Sequence, residues 1–228
     1  MRIRVTLDTG LDHPAFYSAE TDSITIAAQW FYARDPRTGG AVSAEQFRLH
    51  ASHMIEHELA HMAFARKVGL AEYRRGSGAL PLWVLEGVAE WAAGGVLSFT
   101  PGSEEIKALF EDGCMPPARM ESAMRVTNGA KDPKANQQAY VQAYFMAKSL
   151  LSLRPEPARG LEQFVGFARD ALRAGGSVEA ALAGRYGLTP EQFDRRWRSL
   201  LETDVVRASR PVLSSFAASH SRPAVRGR

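Results

Sequence analysis

The five residues His57-Glu58-Leu59-Ala60-His61 constrain this chain more than any other stretch of it. They lie inside a run of helical period that begins after Ser43, where Gln46 stands at capping-box spacing, and that extends to about Lys67 before Gly69 stops it. On a helix, residues i and i+4 share one face, a turn apart. Two imidazoles so placed can reach one tetrahedral ion at about 2.0–2.1 Å each. Glu58 sits about 100° around the helix from His57. It is poorly placed to join the same ligand set, but it can reach a water held by the ion, which is what a general base must do.

Two histidines leave the ion short of a donor. The first helix ends at Gly69, and no histidine follows until the tail, so the third ligand has to come from another element. Residues 82–91, LWVLEGVAEW, read as a second helix opened by Pro81 and closed by Gly94 and Gly95. This helix is strongly apolar yet carries Glu86 and Glu90, four residues apart. Carboxylates are rarely buried unless they are paired or bound to metal. The plainer alternative is that both face water. If they do not, Glu86 is the best-placed third ligand.

The rest of the chain supplies a scaffold. Residues 2–7 alternate with Ile3, Val5 and Leu7 on one side, and residues 22–30 repeat the pattern with Ile24 and Ile26, so both read as half-buried strands. A turn is expected at 35–40 from its Asp, Pro and Gly content. Further helices are expected from Ser103 to near Gly113 and over 135–153, 157–174 and 177–186. A last one starts at Thr189, Pro190 and Gln192 and carries Phe193, Trp197, Leu200 and Leu201. Strands first and helices after predict an α+β fold: a small N-terminal β-sheet followed by a mostly helical domain. Residues 1–205 read as a single domain, strand-rich over 1–42 and helical over 43–205. Residues 206–228 read as a basic, disordered tail.

Composition narrows the function classes. With 228 residues and 45% hydrophobic content the chain can bury one good core. No apolar run approaches the roughly 20 residues of a membrane span, so none is expected. The start has no apolar leader segment, which predicts a cytoplasmic protein, or an exported one if the native N-terminus is missing. The single cysteine, Cys114, rules out an intrachain disulfide and reads as a packed side chain. The pI is about 9.2, which raises a helical DNA-binding domain as a rival reading. The basic residues are scattered rather than gathered in a stripe, so no nucleic-acid partner is expected.

HELAH followed by LWVLEGVAEW resembles the gluzincin clan of zinc metallopeptidases, and is most similar to the compact peptidase MA-like family. AYVQAYFMAKSLL, residues 139–151, is similar to that family's Y-x-Q-(S/A) helix, and RYGLTPEQFDRRWRSLL, residues 185–201, to its closing helix-turn-helix; together the resemblance spans about residues 50–203. It implies a zincin-like domain holding one zinc per chain through His57, His61 and Glu86, with Glu90 hydrogen-bonded behind a ligand histidine to fix its tautomer. It also implies a tyrosine that donates to the developing oxyanion. Tyr140 matches the family position, and Tyr144 is one turn away. The loop between the zinc helices is longer than in the zinc aminopeptidases, and no GAMEN-like exopeptidase signature is present.

These readings converge on a zinc metallopeptidase acting on a peptide or protein substrate, with Glu58 as general base. The alternative is a catalytically inactive zinc-bound module of the same fold, which would have no use for Glu58. Residues 22–30 are expected to offer the edge strand along which an extended peptide aligns. His50 and His53 continue the stripe of His57 and His61. They could form a second metal site or a substrate contact; with no carboxylate at ligand spacing, they read instead as lining the cleft or the helix face. Trp83, Trp91 and Trp197 read as core.

Overall fold

The computed structural model describes residues 2–6, 15–27, 43–95, 103–125 and 132–208. The expected turn at 35–40, the far end of the expected strand at 22–30, and the tail after 208 lie outside them, as does the side chain of His50. Strands β1 (Arg2–Thr6), β2 (Ala15–Ser18) and β3 (Ser23–Ala27) form a three-stranded sheet in the order β1-β3-β2. β1 runs parallel to β3, and β2 antiparallel to it. The helices follow: α1 (Ala44–Val68), α2 (Leu70–Gly76), α3 (Leu82–Ala92), α4 (Ser103–Leu109), α5 (Pro117–Met124), α6 (Pro133–Leu151), α7 (Pro157–Arg173), α8 (Val178–Tyr186) and α9 (Pro190–Ala208). The chain is thus mostly helical with a small N-terminal sheet, an α+β arrangement. No described helix is long and apolar enough to cross a membrane.

Two of the sequence expectations need correction. The segment 69–81, expected to be a loop, folds into α2 and a turn of 3-10 helix at Ser77–Ala79. It begins at Gly69, whose φ of +106° ends α1 at little steric cost and turns the chain straight into the next helix. The strand over 22–30 is not an edge. β3 is hydrogen-bonded on both sides, to β1 and to β2, so its backbone has no free row for a peptide. The strand that makes it central is β2, four residues whose short pattern carried no readable period.

α1 is shared between two cores. On one stripe Ile55, Leu59 and Met62 pack against Ala15, Ile24 and Ile26 of the sheet. Around the helix, Phe64, Ala65 and Val68 enter the main core with Val84 and Val88 of α3 and Phe164, Phe167 and Ala168 of α7. Trp83 stacks between Phe167 and Phe193, with ring centroids 6.2 and 5.4 Å apart. Trp197 is likewise core, while Trp91 is half-buried at its margin. Such aromatic pairs add about 0.5–1.5 kcal/mol each beyond their buried area. The turn between β2 and β3 is tied to α1 by Arg66, whose Nη2 lies 2.6 Å from Asp22 Oδ2, and to α2 by Arg74 Nε, which donates to the Ala19 carbonyl at 2.7 Å. α3 is apolar on nearly all sides and is accordingly enclosed.

Candidate metal centre

α1 and α3 lie side by side with their polar residues facing each other. His57 and His61 of α1 are one turn apart, as the i, i+4 spacing requires, and their Nε2 atoms are 3.0 Å apart. Glu86 of α3 brings Oε2 to 3.2 Å from His57 Nε2 and 3.5 Å from His61 Nε2. The three donor atoms form a nearly equilateral triangle. Donors bound tetrahedrally to zinc at 2.0–2.1 Å stand roughly 3.3 Å from one another, and the three observed edges bracket that value. Two neutral-capable imidazoles and a carboxylate are also the donor chemistry zinc takes. The site therefore fits the ion on both counts.

The electrostatics of the metal-free site are those of a carboxylate pair compensated by imidazoles. Burial works against a charged His57 ring, but its contacts with Glu86 and Glu90 outweigh this and lift its pKa from 6.5 to about 10. Burial alone would raise Glu86, yet the charges and hydrogen bonds of His61 and His57 hold it well below the usual carboxylate range. His57 is therefore kept protonated and Glu86 ionised, so an ion binding there has to displace the His57 proton.

Glu90, only 5% exposed, sits behind the triangle. Its Oε1 lies 3.1 Å from His57 Nδ1, the ring nitrogen facing away from the donor triangle. Its Oε2 lies 3.2 Å from Nε2 of His53. Burial pushes Glu90 up, but the two histidines bring it down and keep it ionised. The expectation that His53 has no carboxylate in reach is therefore wrong: the partner comes from α3. The available signal was geometric. His53 and His57 are four apart on α1, Glu86 and Glu90 four apart on α3, and two antiparallel pairs at equal spacing can meet rung by rung.

Glu58 is buried as well. It lies on the flank of α1 between the histidine stripe and the Ile55-Leu59-Met62 stripe that carries the sheet. The two tyrosines of α6 separate. Tyr140 stands among the carboxylates: its phenol is held far above the ordinary value first by the charge of Glu86, then by burial, then by Glu90 and Glu58. It is a committed proton donor. Tyr144 is elsewhere, against Gly95 and below Lys148, whose Nζ lies 5.2 Å from its ring centre. A tyrosine that sequence reasoning missed, Tyr73 of α2, is buried near the site, and its phenol is raised by burial and by the charge of Glu86.

The scaffold around these groups is tightly tied. Pro81 offers no side-chain cap to α3, and Glu121 of α5 supplies one, Oε1 accepting from the Leu82 N–H at 2.5 Å. Gln142 of α6 clamps the chain at Met115, accepting from its N–H at 3.0 Å and donating to its carbonyl at 2.9 Å. Cys114 beside it is half-buried, its thiol pushed up by burial, as expected of a packed cysteine. Comparison with protein-family models, with curated proteins and with solved structures finds no match to this chain.

Proposed function

We propose that the chain is a zinc-dependent metallopeptidase of zincin-like fold, with one zinc held by His57, His61 and Glu86. The observation that carries this reading is the donor triangle: three donor atoms from two helices converge at the spacing of a tetrahedral ion, while Glu58, between the two histidines, stays outside it. A purely structural site would close its fourth position with another protein donor and would need no base.

Bound zinc supplies a Lewis acid that makes water a nucleophile near neutral pH and polarises a carbonyl. The chain's own residues do the rest. Glu58 takes the proton as the water's oxygen bonds to the peptide carbonyl carbon. It returns that proton to the amine as the C–N bond breaks. Tyr140, kept protonated by its carboxylate neighbours, donates to the carbonyl oxygen as negative charge grows there. Tyr144 is not needed for this step. Glu90 holds His57 from behind and fixes the proton on Nδ1, leaving Nε2 free to bind metal.

The test is metal analysis of the purified chain joined to cleavage profiling on broad peptide libraries, wild type against Glu58→Gln. Zinc in both and cleavage only by the wild type supports the reading. Zinc in both and no cleavage by either favours the inactive zinc-bound module instead.

A further inference from the structure

We propose that His53 is a positioning residue of the metal centre, acting through Glu90 on the ligand His57. The inference rests on the zinc reading above. A carboxylate that orients a ligand histidine must itself be oriented, and a glutamate has three rotatable bonds with which to drift. Here each oxygen of Glu90 has its own imidazole. Oε1 faces His57 Nδ1 at 3.1 Å, and Oε2 faces His53 Nε2 at 3.2 Å in a polar contact that lies off the ideal hydrogen-bond line. The carboxylate thus lies between two rings carried by the same helix.

The tautomer of His53 follows from its surroundings. His53 Nδ1 is buried with no hydrogen-bond partner among the described residues. A ring proton placed there would meet no partner among the described residues and would leave a lone pair facing the Glu90 carboxylate. Placed on Nε2, it stands on the side of the ring that faces that carboxylate, 3.2 Å away. His53 therefore turns its N–H side to Glu90, and the contacts of 3.2 Å from His53 to Glu90 and 3.1 Å from Glu90 to His57 lead to the donor triangle. His53, His57 and Glu90 also lie close enough together to share an ion, but His53 is no part of the His57, His61 and Glu86 triangle, so its effect on the zinc held there passes through Glu90.

The experiment uses the full chain and zinc alone. Zinc affinity is measured by competition with a chelating dye for wild type, His53→Phe and His53→Gln, and cobalt-loaded samples give the visible spectrum of the site. Phenylalanine keeps the bulk and removes the N–H. Zinc should bind about tenfold more weakly, and the cobalt bands should shift. Glutamine carries an N–H close to the place of Nε2 and should recover most of both. Unchanged affinity and an unchanged cobalt spectrum in His53→Phe, with a zinc-replete wild type, would overturn this proposal alone. A wild type that takes up no zinc would overturn it together with the peptidase reading. A titration endpoint of two ions per chain would make His53 a ligand of a second ion and also overturn it. Should His53→Phe fail to fold, long-range proton–nitrogen NMR of the zinc-loaded wild type decides: a proton on His53 Nε2 supports the proposal, and one on Nδ1 ends it.

Discussion

Gly87 of α3 lies so close to Ala143 of α6 that a β-carbon on it would stand 2.3 Å from the Ala143 carbonyl oxygen and 2.9 Å from the Ala147 methyl. A real β-carbon does not come that near. The two helices cross here at backbone contact, and this crossing brings Tyr140, one turn before Ala143, against Glu86, the residue before Gly87. Gly87→Ala should therefore do more than destabilise. Overpacking of this kind costs about 1–3 kcal/mol, and the helices must part at the point where Glu86 is held. Thermal unfolding of the metal-free variant should show the first effect. Weaker zinc retention against a chelator, relative to an equally destabilising substitution remote from α3, should show the second.

Glu86 and Glu90 should rank by their distance from the ion. Glu86 faces both Nε2 atoms, whereas Glu90 faces only the far side of His57. Glu86→Ala should lose more zinc affinity than Glu90→Ala, for which a loss of about 10- to 100-fold is expected. Chelator competition gives both numbers, and the reverse order would mean that the two roles are exchanged.

Glu58→Gln should keep zinc and lose hydrolysis. The side chain keeps its size and its place on the flank of α1, but can no longer accept the water's proton. General-base assistance is worth about 10²–10⁴-fold, so kcat/KM on any peptide the wild type cleaves should fall by at least that range. A variant that cleaves at the wild-type rate with full zinc would end the mechanism.

Zinc uptake should release protons, and the metal-free chain should weaken in alkali. In the metal-free site His57 titrates near 10, above its ordinary 6.5, because Glu86 and Glu90 outweigh its burial. Its protonated ring therefore adds stability that is fully present below about pH 6.5 and is lost as pH rises through 10. Zinc must displace the His57 proton from Nε2, so apparent affinity should rise about tenfold per pH unit between 7 and 9. Melting of the metal-free chain should fall from pH 7 to 10, while the zinc-loaded chain, in which that proton is already gone, should not follow it. Parallel curves for the two forms would contradict the assignment.

What the sequence by itself determined was local. The five residues from His57 to His61, the start of α1 after Ser43 and its stop at Gly69 are set by spacing and φ preference within a few residues. The two helices with their polar positions, His57 and His61 on one and Glu86 and Glu90 on the other, were legible for the same reason: a helix repeats every 3.6 residues whatever surrounds it. What only the tertiary structure decided was which of these rungs meet. Periodicity cannot tell Tyr140 from Tyr144, since residues four apart on a helix share a face; the Gly87–Ala143 crossing does, by fixing where α3 touches α6. It cannot pair His53 with Glu90, because the contact joins separate helices whose relative slide depends on side-chain packing. Nor can it make β3 central, since a strand's neighbours are chosen by hydrogen-bond partners elsewhere in the chain, here β1 and the four residues of β2.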